Sequence, residues 1–225
     1  MKLLKKVVFA DVILLLAVVI SYSNFYKNEA KETQGYVSSE EAKKIALTFD
    51  DGPTRENTAA LLDGLKERNV QCTFFVIGNL AAENKDLLER MHNEGHLIGN
   101  HTYDHVQINK LSTDEAFYQI SETNSLISSV TGADVDYVRA PYGEWDKKLD
   151  KKLDMIQVSW DVDPEDWNCD DKCKIVDKVV TTVKENDIIL LHDTSMSSVN
   201  AAFEIIDILK EKGYEFVTVD KLIFE

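Results

Sequence analysis

Two carboxylates stand side by side at Asp50-Asp51, between the apolar run 45–49 and the turn formers Gly52-Pro53. Adjacent carboxylates repel, so a chain that only had to end a strand gains nothing from the pair. A cation removes the conflict: one carboxylate binds it and the other stays nearby as a base. Taken alone, Asp-Asp-Gly also suits a solvated turn. A second reactive pair, His101 and His105, is four residues apart. On a helical turn that spacing shares a face, and both imidazoles can bind one ion. With Asp51 as third ligand the set becomes a two-histidine, one-carboxylate site with positions open to water. Zn²⁺ fits hydrolysis at such a site; Co, Ni, Mn and Fe are compatible with the same ligand types.

Arg139 calls for an anionic partner, and Asp50 or Asp166 can supply it through a planar two-toothed contact. Pro141 has no amide, so the next one, that of Tyr142, is placed to point into a site. His192 closes an apolar run and is expected partly buried. Trp167 and Leu190 can wall a small apolar pocket.

These residues need elements to position them. From position 42 onward, apolar runs of strand length alternate with helical periodicity. Strands are predicted at 45–49, 70–77, 97–99, 136–138, 155–160, 187–191 and 216–219. Between them, Thr54 is placed to cap a helix with Leu61, Leu62 and Leu65 inward. Leu87, Leu88 and Met91 mark another. Ser112-Thr113-Asp114-Glu115 is a capping box, followed by Ala116, Ile120, Ile127 and Val130 on one face. Repeated strand–helix units imply a parallel sheet with covering helices, either open or closed into a barrel. The roughly 184 residues after position 41 are few for eight units, so a barrel would be incomplete. Asp50-Asp51, His101, Arg139, Asp163 and His192 all fall at or just after strand C-termini. In a parallel barrel those ends share one rim, where active sites lie.

Composition narrows the class. The 225 residues suffice for one domain or one domain with an appendage. Net charge is −15. The first thirty residues hold four Lys against Asp11 and Glu29, which leaves −17 on the rest. That excludes nucleic-acid binding through phosphates. Lys2, Lys5 and Lys6 precede a 14-residue apolar run, 7–20, interrupted by Asp11. The run is short for a membrane span of about 20 residues. Residues 1–23 are therefore expected to be a signal peptide or membrane anchor, 24–42 a linker, and 43–225 the catalytic domain. The expected location is extracytoplasmic, either secreted or anchored.

At this point the chain resembles the polysaccharide deacetylases, carbohydrate esterase family four, with the NodB homology domain. The resemblance spans nearly all of 44–225 and meets five motifs in the family's order. Thr48-Phe49-Asp50-Asp51-Gly52 resembles the first, whose first Asp is the general base and whose second is a metal ligand. His101-Thr102-Tyr103-Asp104-His105 resembles the second, with both metal histidines. Arg139-Ala140-Pro141-Tyr142 is similar to the third: the Arg positions the base and the Tyr amide helps hold the oxyanion. Asp163-Pro164-Glu165-Asp166-Trp167 resembles the fourth, a groove wall whose carboxylates tune neighbours. Leu190-Leu191-His192 resembles the fifth, a pocket residue and the general acid. The implied fold is α/β, a distorted, incomplete (β/α) barrel of about seven parallel strands.

The implied reaction is removal of acetyl groups from N-acetylated sugars of a glycan, with one divalent metal ion. One of Asp163 and Asp166 is expected to hold His192 and the other Arg139. N-acetylglucosamine of peptidoglycan is the first substrate expectation, chitin oligosaccharides the second and acetylated xylan the third. The protein is expected to act as a monomer. Two other classes share part of this pattern. A non-catalytic glycan-binding protein would suit a chain lacking Asp50 or His192, and both are present. A non-haem iron oxygenase shares the ligand triad but not the alternating βα pattern. Cys169 and Cys173 could form a local disulfide outside the cytoplasm. Cys72 reads as a buried apolar residue, His96 as structural and His92 as solvated.

Overall fold

The computed structural model describes residues 42–224. The expected signal or anchor segment, and the linker apart from Ala42, lie outside the described residues. Among the described residues no helix is long and apolar enough to cross a membrane.

The sheet is built around β1 (Lys43–Asp50), whose last six residues are all buried. Three strands pair with it, all parallel. β2 (Thr73–Val76) lies on one side. On the other, β7 (Tyr214–Val217) takes the first half of β1 and β6 (Ile188–His192) the second. Outward from β2 come β3 (Leu97–Asn100), β4 (Tyr137–Val138) and β5 (Ile156–Gln157), giving the order β5-β4-β3-β2-β1-β6 in a seven-stranded sheet. The far edge nearly returns to the start: beyond β5 the chain crosses to β6 and forms a single parallel bridge, Val162 to Ile189. The expected incomplete barrel is thus observed, closed on that side by one bridge.

Helices cover the sheet. They are α1 (Asn57–Glu67), α2 (Gly78–Glu83), α3 (Lys85–Asn93), α4 (Thr113–Thr131), α5 (Lys172–Thr182), α6 (Met196–Glu211) and the short α7 (Val219–Phe224). The main core joins Ile45, Leu47 and Phe49 of β1 to Leu61, Leu62 and Leu65 of α1 and to the inner face of α6. Burying such side chains contributes about 1.5–3 kcal/mol each.

Two local expectations change. Thr54 does not cap α1, which starts at Asn57 after Glu56 without a side-chain cap. The hydroxyl of Thr54 is instead drawn to the carbonyl of Asp193, 2.9 Å away. The predicted strand 155–160 is only two residues long, because the chain leaves β4 and turns to reach β6. By contrast, α4 begins as its sequence dictates. Ser112 Oγ accepts from the Glu115 amide, and Glu115 Oε2 accepts from the Ser112 amide at 3.0 Å. The helix ends at Gly132, whose φ of 72° is left-handed. Replacing Ser112 by Ala is expected to lower stability by about 1 kcal/mol. Chemical denaturation should show a reduced midpoint with an unchanged slope; an unchanged midpoint would remove the box from the account.

Candidate metal centre and its rim

Strand register brings the reactive residues to one level. Asp50 is aligned with Phe75 of β2 and with His192 of β6. Val76 is aligned with Asn100, and Asn100 with Val138. His101 and Arg139 follow those last two residues, so four strand ends deliver Asp50, His101, Arg139 and His192 to the same rim.

Asp51 leaves β1 with a left-handed φ of 70°. That turn sends its carboxylate back toward the histidine loop. Its Oδ1 lies 3.3 Å from His101 Nε2 and 3.1 Å from His105 Nε2. The histidine pair does not sit on a helical turn. Thr102 and His105 take left-handed φ values of 65° and 52°, and the loop curls so that both rings face Asp51. Side chains hold the curl: Asn100 Oδ1 accepts from the Thr102 amide, and Gln119 Oε1 from the amides of Tyr103 and Asp104.

The protonation pattern tests whether a cation fits. His101 Nδ1 lies 2.7 Å from the Arg139 carbonyl, which can only accept, so Nδ1 carries the hydrogen. In the neutral ring Nε2 then presents a lone pair to Asp51 Oδ1. That oxygen is buried and has no hydrogen-bond partner. One atom each from Asp51, His101 and His105 lies within 4.8 Å of the others. A lone pair facing a carboxylate oxygen needs a positive charge between them, and the donor set suits a divalent ion.

Asp50 lies beside this group, its Oδ2 3.8 Å from His101 Nε2. Its other oxygen accepts from Arg139 Nη1 at 2.8 Å. Arg139 is completely buried. Thr48 Oγ1 and the carbonyls of Val158 and Ser159 accept three of its other four hydrogens, while Phe75 and Trp160 flank the guanidinium. A buried guanidinium held by four hydrogen bonds keeps one position.

On the opposite side, His192 Nδ1 lies 2.8 Å from Asp166 Oδ1, and its amide donates to Asp166 Oδ2 at 2.9 Å. Burial opposes protonation of this ring. Asp166, through its hydrogen bond and charge and helped by Asp50 and Asp51, raises its pKa to about 9. Asp166 is therefore the partner of His192, and the carboxylate on Arg139 is Asp50. Asp163 touches neither; its Oδ1 accepts from the Glu165 amide at 2.7 Å.

A cavity of about 440 Å³ opens above these groups. Leu190, Asp163 and Trp160 line it, and Tyr142 and Trp167 stand at its margin, both more than 60% exposed. Tyr142 has a left-handed φ of 62°, and its ring lies against that of His105 at 5.0 Å. Trp160 was not expected at the site. Only its place at the end of a predicted strand could have signalled it. Its indole packs beneath Gly143, where an added Cβ would lie 3.1 Å from the ring. Cys169 and Cys173 are free thiols, not a disulfide. His96 is buried and accepts from the Cys72 amide, while His92 is exposed, both as expected.

Fold and rim together define a class: an α/β half-barrel with a two-histidine, one-carboxylate cation site at the C-terminal ends of its strands. The chain belongs to the polysaccharide deacetylase family, whose model matches residues 38–158. It is 42% identical over 180 residues to the peptidoglycan-N-acetylmuramic acid deacetylase PdaC of Bacillus subtilis, covering 80% of this chain and 38% of that one. It is 38% identical over 180 residues to the peptidoglycan-N-acetylglucosamine deacetylase PgdA of Listeria monocytogenes, covering 80% and 39%. The chain thus spans about two fifths of the length of these curated relatives. The solved structure of the Bacillus subtilis PdaC superposes with a TM-score of 0.79 at 41% identity, over 81% of this chain and 91% of that one.

The electrostatics of His192 can be checked without substrate. Its titration, followed by NMR, should centre near 9 in the native chain. In Asp166→Asn it should fall toward the ordinary histidine value of about 6.5. A midpoint unmoved by that substitution would contradict the assigned cause.

Proposed function

We propose that this chain is a metal-dependent hydrolase that removes acetyl groups from N-acetylated sugars of a glycan, with N-acetylglucosamine of peptidoglycan as the substrate. The observation that carries the proposal is the convergence of Asp51, His101 and His105 between Asp50 on one side and His192 on the other. Asp51, His101 and His105 would hold one divalent ion, Zn²⁺ in the first instance, with Co, Ni, Mn or Fe as substitutes. Such an ion supplies Lewis-acid polarisation and a more acidic water.

The protein's own groups do the rest. Asp50 takes a proton from the attacking water through the oxygen that Arg139 leaves free. Arg139 fixes the other oxygen and so aims the base. The amide of Tyr142 donates to the oxygen that becomes negative as water adds to the acetamide carbon. His192, charged near neutral pH, gives its Nε2 proton to the departing sugar nitrogen. Asp166 holds that ring and keeps it protonated. Leu190 and Trp167 enclose the acetyl methyl. Water and amide yield acetate and a free amine. Because the acid must carry its proton, turnover is expected to fall as pH rises past the His192 pKa.

The substrate assignment draws on two observations. Both named relatives carry peptidoglycan in their names. Among the described residues, no Lys or Arg is among the side chains lining the cavity, which suits a neutral sugar. N-acetylmuramic acid is the second reading, favoured by the name of the Bacillus subtilis relative. A glycan of the wall would place the chain outside the cytoplasm, secreted or anchored through residues 1–23 and acting as a monomer.

The test is acetate release from N-acetylglucosamine oligomers and from peptidoglycan. Release should occur with metal and stop with chelator. Asp50→Asn should retain the metal yet lose about 10²- to 10⁴-fold in kcat, the usual contribution of a general base. Full activity in that variant would remove the base assignment. Absence of acetate from every N-acetylated glycan would end the deacetylase reading.

A further inference from the structure

Asp193 follows His192 and is completely buried, yet the mechanism above does not use it. Its carboxylate lies against Gly52, the residue after the ligand Asp51. A Cβ at position 52 would clash with both carboxylate oxygens. Thr58 Oγ1 donates to Asp193 Oδ2. The same Thr58 oxygen accepts from the Thr54 amide at 2.7 Å, so its own hydrogen is directed at Asp193. Thr54 Oγ1 donates to the Asp193 carbonyl at 2.9 Å, and Asn57 Nδ2 to the Thr194 carbonyl at 2.8 Å. Three hydrogen bonds thus stitch the loop after β1 and the start of α1 to the loop after β6. From the far side, the Ile77 amide donates to the Gly52 carbonyl at 2.9 Å.

The backbone of Asp51–Gly52 is therefore gripped between the end of β2 and Asp193. Asp51 needs that grip, because its φ of 70° is a conformation that residues other than Gly seldom adopt. Nothing else in the site requires a carboxylate at 193 or the absence of a side chain at 52. We propose that Asp193, with Thr58 and the bare Gly52, is a positioning device: it holds Asp51 in its ligating conformation and fixes the spacing between the cation and His192. Its action passes through Gly52 and the main chain, so Asp193 is a positioning residue rather than a catalytic one. The inference rests on the cation site proposed above.

Residues that orient metal ligands typically change affinity by about 10- to 100-fold when replaced. Zn²⁺ affinity of the full chain, measured by competition with a chromophoric chelator, should fall by that factor in Thr58→Val and in Asp193→Ala. Thr58→Ser keeps the hydroxyl and should restore native affinity. kcat on N-acetylglucosamine oligomers should fall in the same two variants while KM stays within about twofold, since neither residue lines the cavity. Thr58→Val swaps one hydroxyl for a methyl, so it answers the question if Asp193→Ala does not fold. Native Zn²⁺ affinity and native kcat in a folded Thr58→Val would overturn the positioning role alone. A native chain that binds no Zn²⁺ would overturn the cation site and this inference with it.

Discussion

Three ligand atoms are held together at the rim, a carboxylate oxygen of Asp51 and the Nε2 atoms of two imidazoles, and the His101 lone pair repels the Asp51 oxygen. The repulsion is built in by the donation of the His101 Nδ1 hydrogen to the Arg139 carbonyl. The fold must keep these atoms close against their own electrostatics, and much of the surrounding structure follows from that demand. Left-handed backbone at Asp51, Thr102 and His105 aims the three side chains inward. Such backbone persists only where neighbours over-determine it. Here the neighbours are Asn100 and Gln119 on the histidine loop, and Asp193 with the Ile77 amide on the carboxylate loop.

The two groups flanking this centre are set by opposite means. Asp50 is paired with an arginine that has no exposure at all, so one oxygen is fixed and the other is left toward the cavity. His192 is paired with a buried carboxylate, which turns a ring disfavoured as a cation by burial into one protonated at neutral pH. A carboxylate and an imidazole thus face each other across one cavity, each held by a neighbour that the solvent scarcely reaches. Parallel register makes this possible, since Asp50 and His192 are aligned partners in adjacent strands.

Much of this was legible in the sequence. Apolar runs ending in Asp, His or Arg placed the reactive residues at strand C-termini, and the parallel pattern put those ends on one rim. The capping box at Ser112 read correctly because its partners are local. What escaped was non-local or depended on loop backbone. The spacing of His101 and His105 suggested a helical turn, but Gln119, fourteen residues beyond His105, holds a left-handed loop instead. The choice between Asp163 and Asp166 was open because a three-residue offset in a loop fixes no direction. A left-handed φ of 58° at Glu165 separates the two side chains. Trp160 looked like strand because its run is apolar, yet the chain there is crossing from β5 to β6. The surroundings of Asp193 were not legible either, because its partners Thr54 and Thr58 lie more than a hundred residues earlier.

The central claim is that Asp51, His101 and His105 share one cation. X-ray absorption at the zinc edge of the Zn²⁺-loaded chain tests it most directly. The expected spectrum shows two imidazole nitrogens at about 2.0–2.1 Å with oxygen ligands, and one imidazole is lost in His105→Ala. A sulfur ligand at about 2.3 Å, or a spectrum that His105→Ala leaves unchanged, would contradict the account.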